Sequence, residues 1–183
     1  IEQACFLEGI RETKETFSQR LLTFPKGFYL LKRIAQDQKD NPTNKIETIG
    51  YFTSEIWTNL SSDPAQDFAL NHSAQKRHTE EGIILYVSSF AVHPLAQGGA
   101  GRFLFSQSIQ KIVTSFPHIQ QIIFIVNETW LAARHIYETE GFTYLASLSH
   151  FFKGPNSKTN ALIMSCTTKD FINRKKGITK GDL

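Results

Sequence analysis

A long apolar run that leads through a glycine-rich turn into a helix is the feature of this sequence that most limits its fold. Gly82 to Val92 is dominated by aliphatic and aromatic side chains, which predicts a strand. Gly98 to Gly101 predicts a turn, and Arg102 to Phe116 carries apolar residues at helical spacing. The chain therefore passes from a strand into an amphipathic helix through a short connection.

The segments that follow continue this alternation of strands and helices. The apolar run Gln121 to Val126 is typical of a strand buried on both faces. Glu128 to Glu140 predicts a helix, and Gly141 stands where a C-terminal glycine cap belongs. Phe142 to Phe152 and Ala161 to Cys166 predict two further strands.

The first third of the chain predicts helix and then a hairpin. Ile1 to Leu22 predicts helix, with Thr13 as a candidate start of a second helix. Phe28 to Ala35 and Ile46 to Trp57 predict two strands joined by a long polar tip. Asn59 to Glu81 is a polar connection of unusual length, which predicts a substrate-side loop with room for a short helix.

The order of these elements indicates an α/β (α+β) fold in one domain over residues 1–183. The 183 residues are 40% hydrophobic and 20% charged, which is enough apolar material for a packed core. Residues 168–183 are rich in charged and polar side chains, and we expect them to form a polar C-terminal tail.

Charge and cysteine usage exclude several functional classes. The formal net charge of +3 is too small for the basic field that general nucleic-acid binding needs. No apolar run approaches the ~18 residues that span a membrane, and no signal sequence opens the chain. Cys5 and Cys166 lack metal-type spacing. We therefore expect a cytoplasmic protein with no bound metal.

The turn between Gln97 and Arg102 has the composition of an anion-binding loop. Its glycines let the backbone approach a ligand, and the first turn of the next helix presents N–H groups without partners. The helix dipole adds positive potential, which suits a pyrophosphate. Walker and Rossmann patterns are absent. On its own the turn also fits a connection with no ligand, and either Ala96 or Gln97 could open it.

Several segments, in the same order along the chain, resemble signatures of the GNAT N-acetyltransferase superfamily. Phe90 to Arg102 resembles the end of that family's central strand and its pyrophosphate loop. Ala133 to Phe142 looks like its Ala-x-x-Leu-Tyr-Glu-x-x-Gly-Phe signature. Ile1 to Phe6 and Phe24 to Phe28 are similar to its first helix and to the entry of its second strand.

The resemblance implies a single-domain GNAT fold: a mixed central sheet with splayed strands and flanking helices, whose first strand would precede Ile1. It also implies acetyl-CoA as the cofactor, with the pantetheine arm paired to Phe90, Ala91 and Val92. The residues implied to hold the pyrophosphate are Gln97, Gly98, Gly99, Ala100, Gly101 and Arg102.

The mechanism that the resemblance implies is direct transfer of an acetyl group to a primary amine. Tyr137 stands where the family commonly has the acid that protonates the departing thiolate. Trp130 takes the place where the family often has an asparagine near the pantetheine arm. The sequence leaves the general base open, and the candidates are His78, Glu80, Glu81, Tyr86 and Ser88.

The identity of the acceptor is less constrained than the reaction. A small-molecule amine is favoured, because the sequence shows no strongly acidic or basic stretch suited to a peptide. Two alternatives stay open: a peptide or protein N-acetyltransferase, and a CoA-binding sensor or regulatory module without catalysis. A homodimer is compatible with each of these.

Overall fold

A six-stranded mixed sheet organises the part of the chain that the computed structural model describes, residues 1–35, 45–96, 98–154 and 158–178. The strand order is β1-β2-β3-β4-β6-β5, with β3 and β4 parallel and all other neighbours antiparallel. The predicted mixed sheet is confirmed, while the hairpin tip over 36–44 lies outside the described residues. The strands are Phe28–Ala35 (β1), Lys45–Trp57 (β2), Ile84–Val92 (β3), Gln121–Asn127 (β4), Thr143–Lys153 (β5) and Lys158–Thr167 (β6).

Seven helices flank the sheet in the described residues, together with two 3-10 turns at Glu8–Ile10 and Pro25–Gly27. None of these helices combines the length and the apolar character that crossing a bilayer requires. The helices are Glu2–Cys5 (α1), Lys14–Thr23 (α2), Pro64–Asp67 (α3), Ala74–Arg77 (α4), Ala100–Ser115 (α5), Leu131–Thr139 (α6) and Thr168–Ile178 (α7).

The N-terminal region is broken into short helices, so the prediction of continuous helix from Ile1 to Leu22 was wrong. Between α1 and α2 the chain passes against the end of β5. Gly9 permits this approach, because a Cβ there would lie 2.6 Å from the Lys153 carbonyl oxygen. The predicted second start is confirmed: the Thr13 side chain caps α2 by accepting a hydrogen bond from Thr16 N at 3.1 Å.

The long connection over 59–81 contains α3 and α4 and is anchored to the sheet. Phe68 is 1% exposed, and its ring centroid lies 5.9 Å from that of Trp57 and 5.3 Å from that of Tyr86. Asp63 caps α3 by accepting backbone hydrogen bonds. The segment is therefore a packed element beside the open end of the sheet.

The C-terminal segment corrects a second prediction, because residues 168–178 form α7 instead of a polar tail. The Phe171 side chain is fully buried, with its ring centroid 6.2 Å from that of Phe142. The apolar stripe of α7 is short, because it consists of Phe171 and Ile172. The charged residues around these two positions concealed the stripe in the sequence. Residues 179–183 lie outside the described residues.

An aromatic cluster fixes α5 and α6 against one face of the sheet. Its centre is Phe105 of α5, which is 1% exposed. The cluster matters for the site because it joins the glycine-turn helix, the central strands and α6 in one packed unit. Ring centroids within 6.2 Å of Phe105 belong to Phe52, Phe90, Phe124, Tyr137 and Phe142.

Phe171→Ala should lower the free energy of unfolding by about 3–5 kcal/mol, because it removes a fully buried ring and leaves a cavity under α7. Urea unfolding followed by circular dichroism measures the change. Asn173→Ala, an exposed position on the same helix, is the control and should leave stability within about 0.5 kcal/mol. A loss below 1 kcal/mol for Phe171→Ala would contradict the docking of α7.

Candidate active site

The two central strands separate after three paired positions, and this separation creates the candidate site. β3 pairs with β4 at Ile84, Leu85 and Tyr86, and the register ends there. β3 nevertheless continues to Val92 on its other neighbour, β2, and β4 continues to Asn127 against β6. The facing edges of β3 and β4 therefore open into a V-shaped gap, as the resemblance implied.

A β-bulge lies at the start of the gap. Thr53 of β2 pairs with Ser89, and Ser54 pairs with Val87, so Ser88 is the extra residue on β3. The Ser88 hydroxyl lies 2.9 Å from the hydroxyl of Thr53. Because a bulge bends and twists its strand, it explains locally why β3 turns away from β4.

A cavity of about 80 Å³ lies in the gap. The β3 edge from Tyr86 to Phe90 forms one wall, and residues 124–126 of β4 form the opposite wall. α6 contributes Tyr137, and the connection over 59–81 contributes Phe68 and its neighbours. The predicted site residues Phe90 and Tyr137 are thus brought together with the predicted substrate-side segment.

Tyr137 is buried in the aromatic cluster at the edge of this cavity. Its ring centroid lies 4.4 Å from that of Phe124 and 4.9 Å from that of Phe105. Its hydroxyl makes no hydrogen bond with the described residues, and burial raises the pKa of the phenol above its ordinary value. Tyr137 is therefore protonated at neutral pH and available as a donor toward the gap.

The three β3 residues predicted to meet the pantetheine arm differ in their surroundings. Phe90 lines the cavity and packs against Phe105, at 5.5 Å between centroids. Ala91 is 5% exposed, which points its small side chain into the protein. The carbonyl of Val92 accepts a hydrogen bond from the Cys5 thiol at 3.4 Å, which ties α1 to this end of β3.

The glycine turn leads from the open end of β3 into α5. Gly98 and Gly99 have φ values of 74° and 80°, a conformation that favours glycine. A Cβ on either would meet nothing within 4 Å, so the backbone borders open space. The N–H of Phe103 makes the first helical bond, to Gly99 O at 2.9 Å. The N–H groups of Ala100, Gly101 and Arg102 therefore have no acceptor within the helix. The predicted Gln97 lies outside the described residues.

Arg102 is held beside this turn by a buried carboxylate. Its Nε donates to Glu140 Oε1 at 2.6 Å, and Lys175 of α7 donates to the other oxygen. Burial alone would raise the pKa of Glu140, but the hydrogen bonds from Lys175 and Arg102 hold it below its ordinary value. The Glu140 carboxylate thus fixes two cations at the N-terminal end of α5.

A groove with a volume of about 650 Å³ runs from the glycine turn between α5 and α7. Gly99 and Arg102 stand at one end, and Lys175 and Lys176 of α7 line the far wall. The groove is therefore continuous with the turn predicted to bind pyrophosphate, and it carries basic side chains.

The predicted general-base candidates fall into two groups. Tyr86 and Ser88 line the cavity, whereas His78, Glu80 and Glu81 do not. The Nδ1 of His78 accepts a hydrogen bond from Ile56 N at 3.0 Å, so that histidine supports the backbone. Burial raises the pKa of Tyr86 above its ordinary value, which disfavours it as a base.

A buried charged network behind the cavity was missed by sequence reasoning. The Arg20 guanidinium pairs with Glu12 and lies 3.6 Å from Glu55. Glu55 also accepts a hydrogen bond from His72 Nε2 at 2.9 Å. Burial alone would raise the pKa of Glu55, but the hydrogen bond from His72 and the Arg20 charge hold it below its ordinary value.

One signal in the sequence could have revealed this network. Residues 50–57, at the end of β2, are otherwise uncharged, and Glu55 is the charged residue among them. A carboxylate at such a position requires buried partners. The partners themselves, Glu12, Arg20 and His72, come from three distant segments, and no local pattern connects them.

Trp130 occupies the cavity edge where the family often has an asparagine. Its ring packs on Phe6 at 5.4 Å and on Phe152 at 5.6 Å between centroids. The nearby Asn127 donates one hydrogen bond to Thr159, and its Oδ1 accepts from the backbone N–H and the hydroxyl of Thr129. These bonds fix the Asn127 side chain against β6 and the start of the 128–130 turn.

Glu140→Gln should lower the free energy of unfolding by about 2 kcal/mol at pH 7, because it removes the charge that holds Arg102 and Lys175. The native pKa lies below the ordinary 4.5, so this stabilisation is present above pH 4.5 and is lost as pH falls through the native pKa. Urea unfolding at pH 7 and pH 3.5 measures both values.

Glu138→Gln, at an exposed position on the same helix, is the matched control and should change stability by less than about 0.5 kcal/mol. An equal loss for Glu140→Gln at the two pH values would show that the carboxylate charge is not the cause.

No family model matches the sequence, and a comparison with curated proteins finds no match. Solved structures do match. The loading GNATL domain of CurA from Lyngbya majuscula has a TM-score of 0.67 at 14% identity, covering 92% of this chain and 89% of that one. NAA60 from Arabidopsis thaliana in complex with acetyl-CoA has a TM-score of 0.62 at 16% identity, covering 88% and 87%.

The ribosomal-protein-S18-alanine N-acetyltransferase from Escherichia coli has a TM-score of 0.57 at 15% identity, covering 91% of this chain and 83% of that one. The three similar chains share the arrangement of sheet and helices with this protein at sequence identities that speak for fold alone. These structural matches and the separation of β3 from β4 show that the protein has the GNAT fold.

Proposed function

We propose that this protein is an acetyl-CoA-dependent N-acetyltransferase that moves an acetyl group directly to a primary amine. One observation carries the proposal: the gap between β3 and β4 opens beside the glycine turn and the N-terminus of α5. A thioester arm and a pyrophosphate need these two features side by side. The acetyl-CoA bound to NAA60, a protein of the same fold, supports this choice of cofactor.

The residues around the gap fit acetyl-CoA. The edge of β3 from Ser88 onward has no β4 partner, which leaves backbone groups for the amides of the pantetheine arm. The N-terminus of α5, with Ala100, Gly101 and Arg102, suits the pyrophosphate. Open space at Gly98 and Gly99 admits a ligand close to the backbone. Acetyl-CoA would supply an acetyl group activated as a thioester.

The chain's own groups then have distinct tasks in the transfer. A backbone N–H on the free edge of β3 polarises the carbonyl as charge develops on its oxygen. Tyr137, which its raised pKa keeps protonated, would give its proton to the sulfur as the C–S bond breaks. The nitrogen would attack as the free amine, and the proton that it loses as the C–N bond forms would pass to water. The packed aromatic rings around Tyr137 exclude water from this end of the gap.

The cavity favours a small amine as the acceptor. The cavity of about 80 Å³ would also receive the acetyl end of the thioester arm, which leaves room for a compact acceptor. The rings of Phe6, Trp130 and Phe152 line the same cavity and give it an apolar surface. A peptide acceptor and a CoA-binding module without catalysis are the competing functions.

Calorimetry with CoA and acetyl-CoA, followed by thiol release with a panel of amines and short peptides, tests the proposal. We expect binding of both nucleotides and thiol release with small primary amines. Binding without release for any acceptor would favour the non-catalytic module, and release with peptides alone would favour a peptide acceptor. Failure to bind either nucleotide would contradict the proposal.

Ala100→Asp should weaken CoA binding about tenfold or more, because a carboxylate at the start of α5 repels the pyrophosphate. The same change should leave the unbound protein as stable or stabilise it by about 0.5 kcal/mol, since an acidic residue there favours the helix dipole. Calorimetry and urea unfolding measure the two effects. Ala100→Asn is the neutral control of equal shape, and equal Kd values for the two variants would contradict the assignment.

Tyr137→Phe should lower kcat by about 100-fold while the Kd for CoA stays within a factor of about two, because the change removes the proton donor and keeps the ring. Steady-state thiol release and calorimetry measure the two constants. The control is Tyr144→Phe, at an exposed tyrosine outside the cavity. An unchanged kcat for Tyr137→Phe would remove Tyr137 from the acid role.

A further inference from the structure

The acceptor side of the cavity has an acidic wall. Two carboxylates line the cavity, those of Glu2 in α1 and Glu12 before α2, and no lysine or arginine among the described residues does so. The rest of that wall is apolar and largely aromatic, with Phe6, Phe68 and Phe152 among its members. A cationic ligand with an apolar body complements such a surface.

The charges behind this wall do not balance. Glu2, Glu12 and Glu55 contribute three carboxylates, and the guanidinium of Arg20 pairs with two of them. Among these side chains, even a protonated His72, hydrogen bonded with Glu55, would leave one negative charge in excess. Burial raises the pKa of Glu2 above its ordinary value, because its charge has no cationic side chain to offset the loss of water. A buried region with excess negative charge is stabilised by a bound cation.

Glu2 is the carboxylate without a cationic side chain as its partner. It accepts hydrogen bonds from the Tyr51 hydroxyl and from Glu12 N at 2.9 Å, and it makes no ion pair with the described side chains. The Tyr51 hydroxyl in turn lies 3.1 Å from the Ser89 hydroxyl on the bulged part of β3. These contacts fix the Glu2 carboxylate beside the edge of β3 where the acetyl group would lie.

An independent feature of the cavity also points to a ligand. Tyr86 is 2% exposed and lines the cavity, and its hydroxyl makes no hydrogen bond with the described residues. Its ring is fixed against Trp57, at 4.1 Å between centroids. The little surface that Tyr86 keeps and its place in the cavity lining leave this hydroxyl accessible to a ligand in the cavity. An ammonium group supplies the donor that this oxygen lacks.

We propose that Glu2 binds the ammonium group of the acceptor, and that the acceptor is a small primary amine with an apolar body. The inference rests on the acetyltransferase function proposed above and names the acceptor class for the same site. Tyr86 accepts a hydrogen bond from the ammonium, and the aromatic wall packs against the carbon skeleton. The bound ammonium loses one proton to water before it attacks, since only the free amine is nucleophilic.

Matched ligand pairs test this proposal on the CoA-loaded protein without turnover. Each pair is a primary amine and the alcohol of the same carbon skeleton, from propyl to 2-phenylethyl, with 3-phenylpropanoate as the anionic comparison. Calorimetry should show at least one amine that binds about tenfold or more tightly than its alcohol, because only the amine carries the charge that Glu2 attracts. The anion should not bind.

Glu2→Gln should abolish this preference while the Kd for CoA stays within a factor of about two. Glu8→Gln, at an exposed glutamate in the adjacent turn, should keep it. If Glu2→Gln does not fold, the affinities of the amines and alcohols for the native protein still test the proposal. Equal affinity for amines and alcohols, or binding of no amine, overturns the proposal while CoA binding leaves the acetyltransferase function standing. Loss of CoA binding in the native protein would instead contradict that function.

Discussion

Three paired positions hold β3 and β4 together, and the candidate site depends on the separation of these strands beyond Tyr86. Two parallel strands that stayed paired would leave no backbone groups for a ligand and no cavity between them. The bulge at Ser88 bends β3, while β6 holds β4 straight through Asn127. The gap is therefore set by the pairing of the sheet itself.

Packing around Phe105 transmits this geometry to the rest of the site. The ring touches both central strands and α6, so the glycine turn at the head of α5 and Tyr137 keep a fixed relation to the gap. At the outer end, Glu140 joins Arg102 of α5 to Lys175 of α7. The protein thus carries a groove with basic side chains beside the glycine turn and a cavity with acidic side chains in the gap. That polarity fits an anionic cofactor and a cationic acceptor.

Much of this arrangement could be predicted from the sequence, because its signals are local. Apolar runs and the glycine turn predicted β3, α5 and β4, and the resemblance implied the splayed sheet. The prediction of a polar C-terminal tail was wrong because two apolar residues, Phe171 and Ile172, pack α7 on the core although most of its other residues are charged or polar. The prediction of a continuous N-terminal helix was wrong because Gly9 contacts β5, a strand that is distant from it in the sequence. Periodicity carries no information on contacts of this kind.

Most of the acidic side of the site could not be predicted for the same reason. Glu55 stands out in its apolar strand, but nothing local in the sequence connects it to Arg20, Glu12 or Glu2, which tertiary packing brings together. Glu2 reaches the cavity because α1 lies against β3, where Cys5 binds the Val92 carbonyl. Partial burial of Glu2 reduces the screening of its charge by water, which would strengthen the attraction proposed for a cationic acceptor.

A crystal structure of the protein with acetyl-CoA would test whether the gap between β3 and β4 is the cofactor site. We expect the pantetheine arm to lie in the gap, hydrogen bonded to the β3 edge beyond Ser88, with the pyrophosphate at the N-terminus of α5 and the acetyl group facing Tyr137. Acetyl-CoA bound elsewhere, with the gap between β3 and β4 empty, would contradict it.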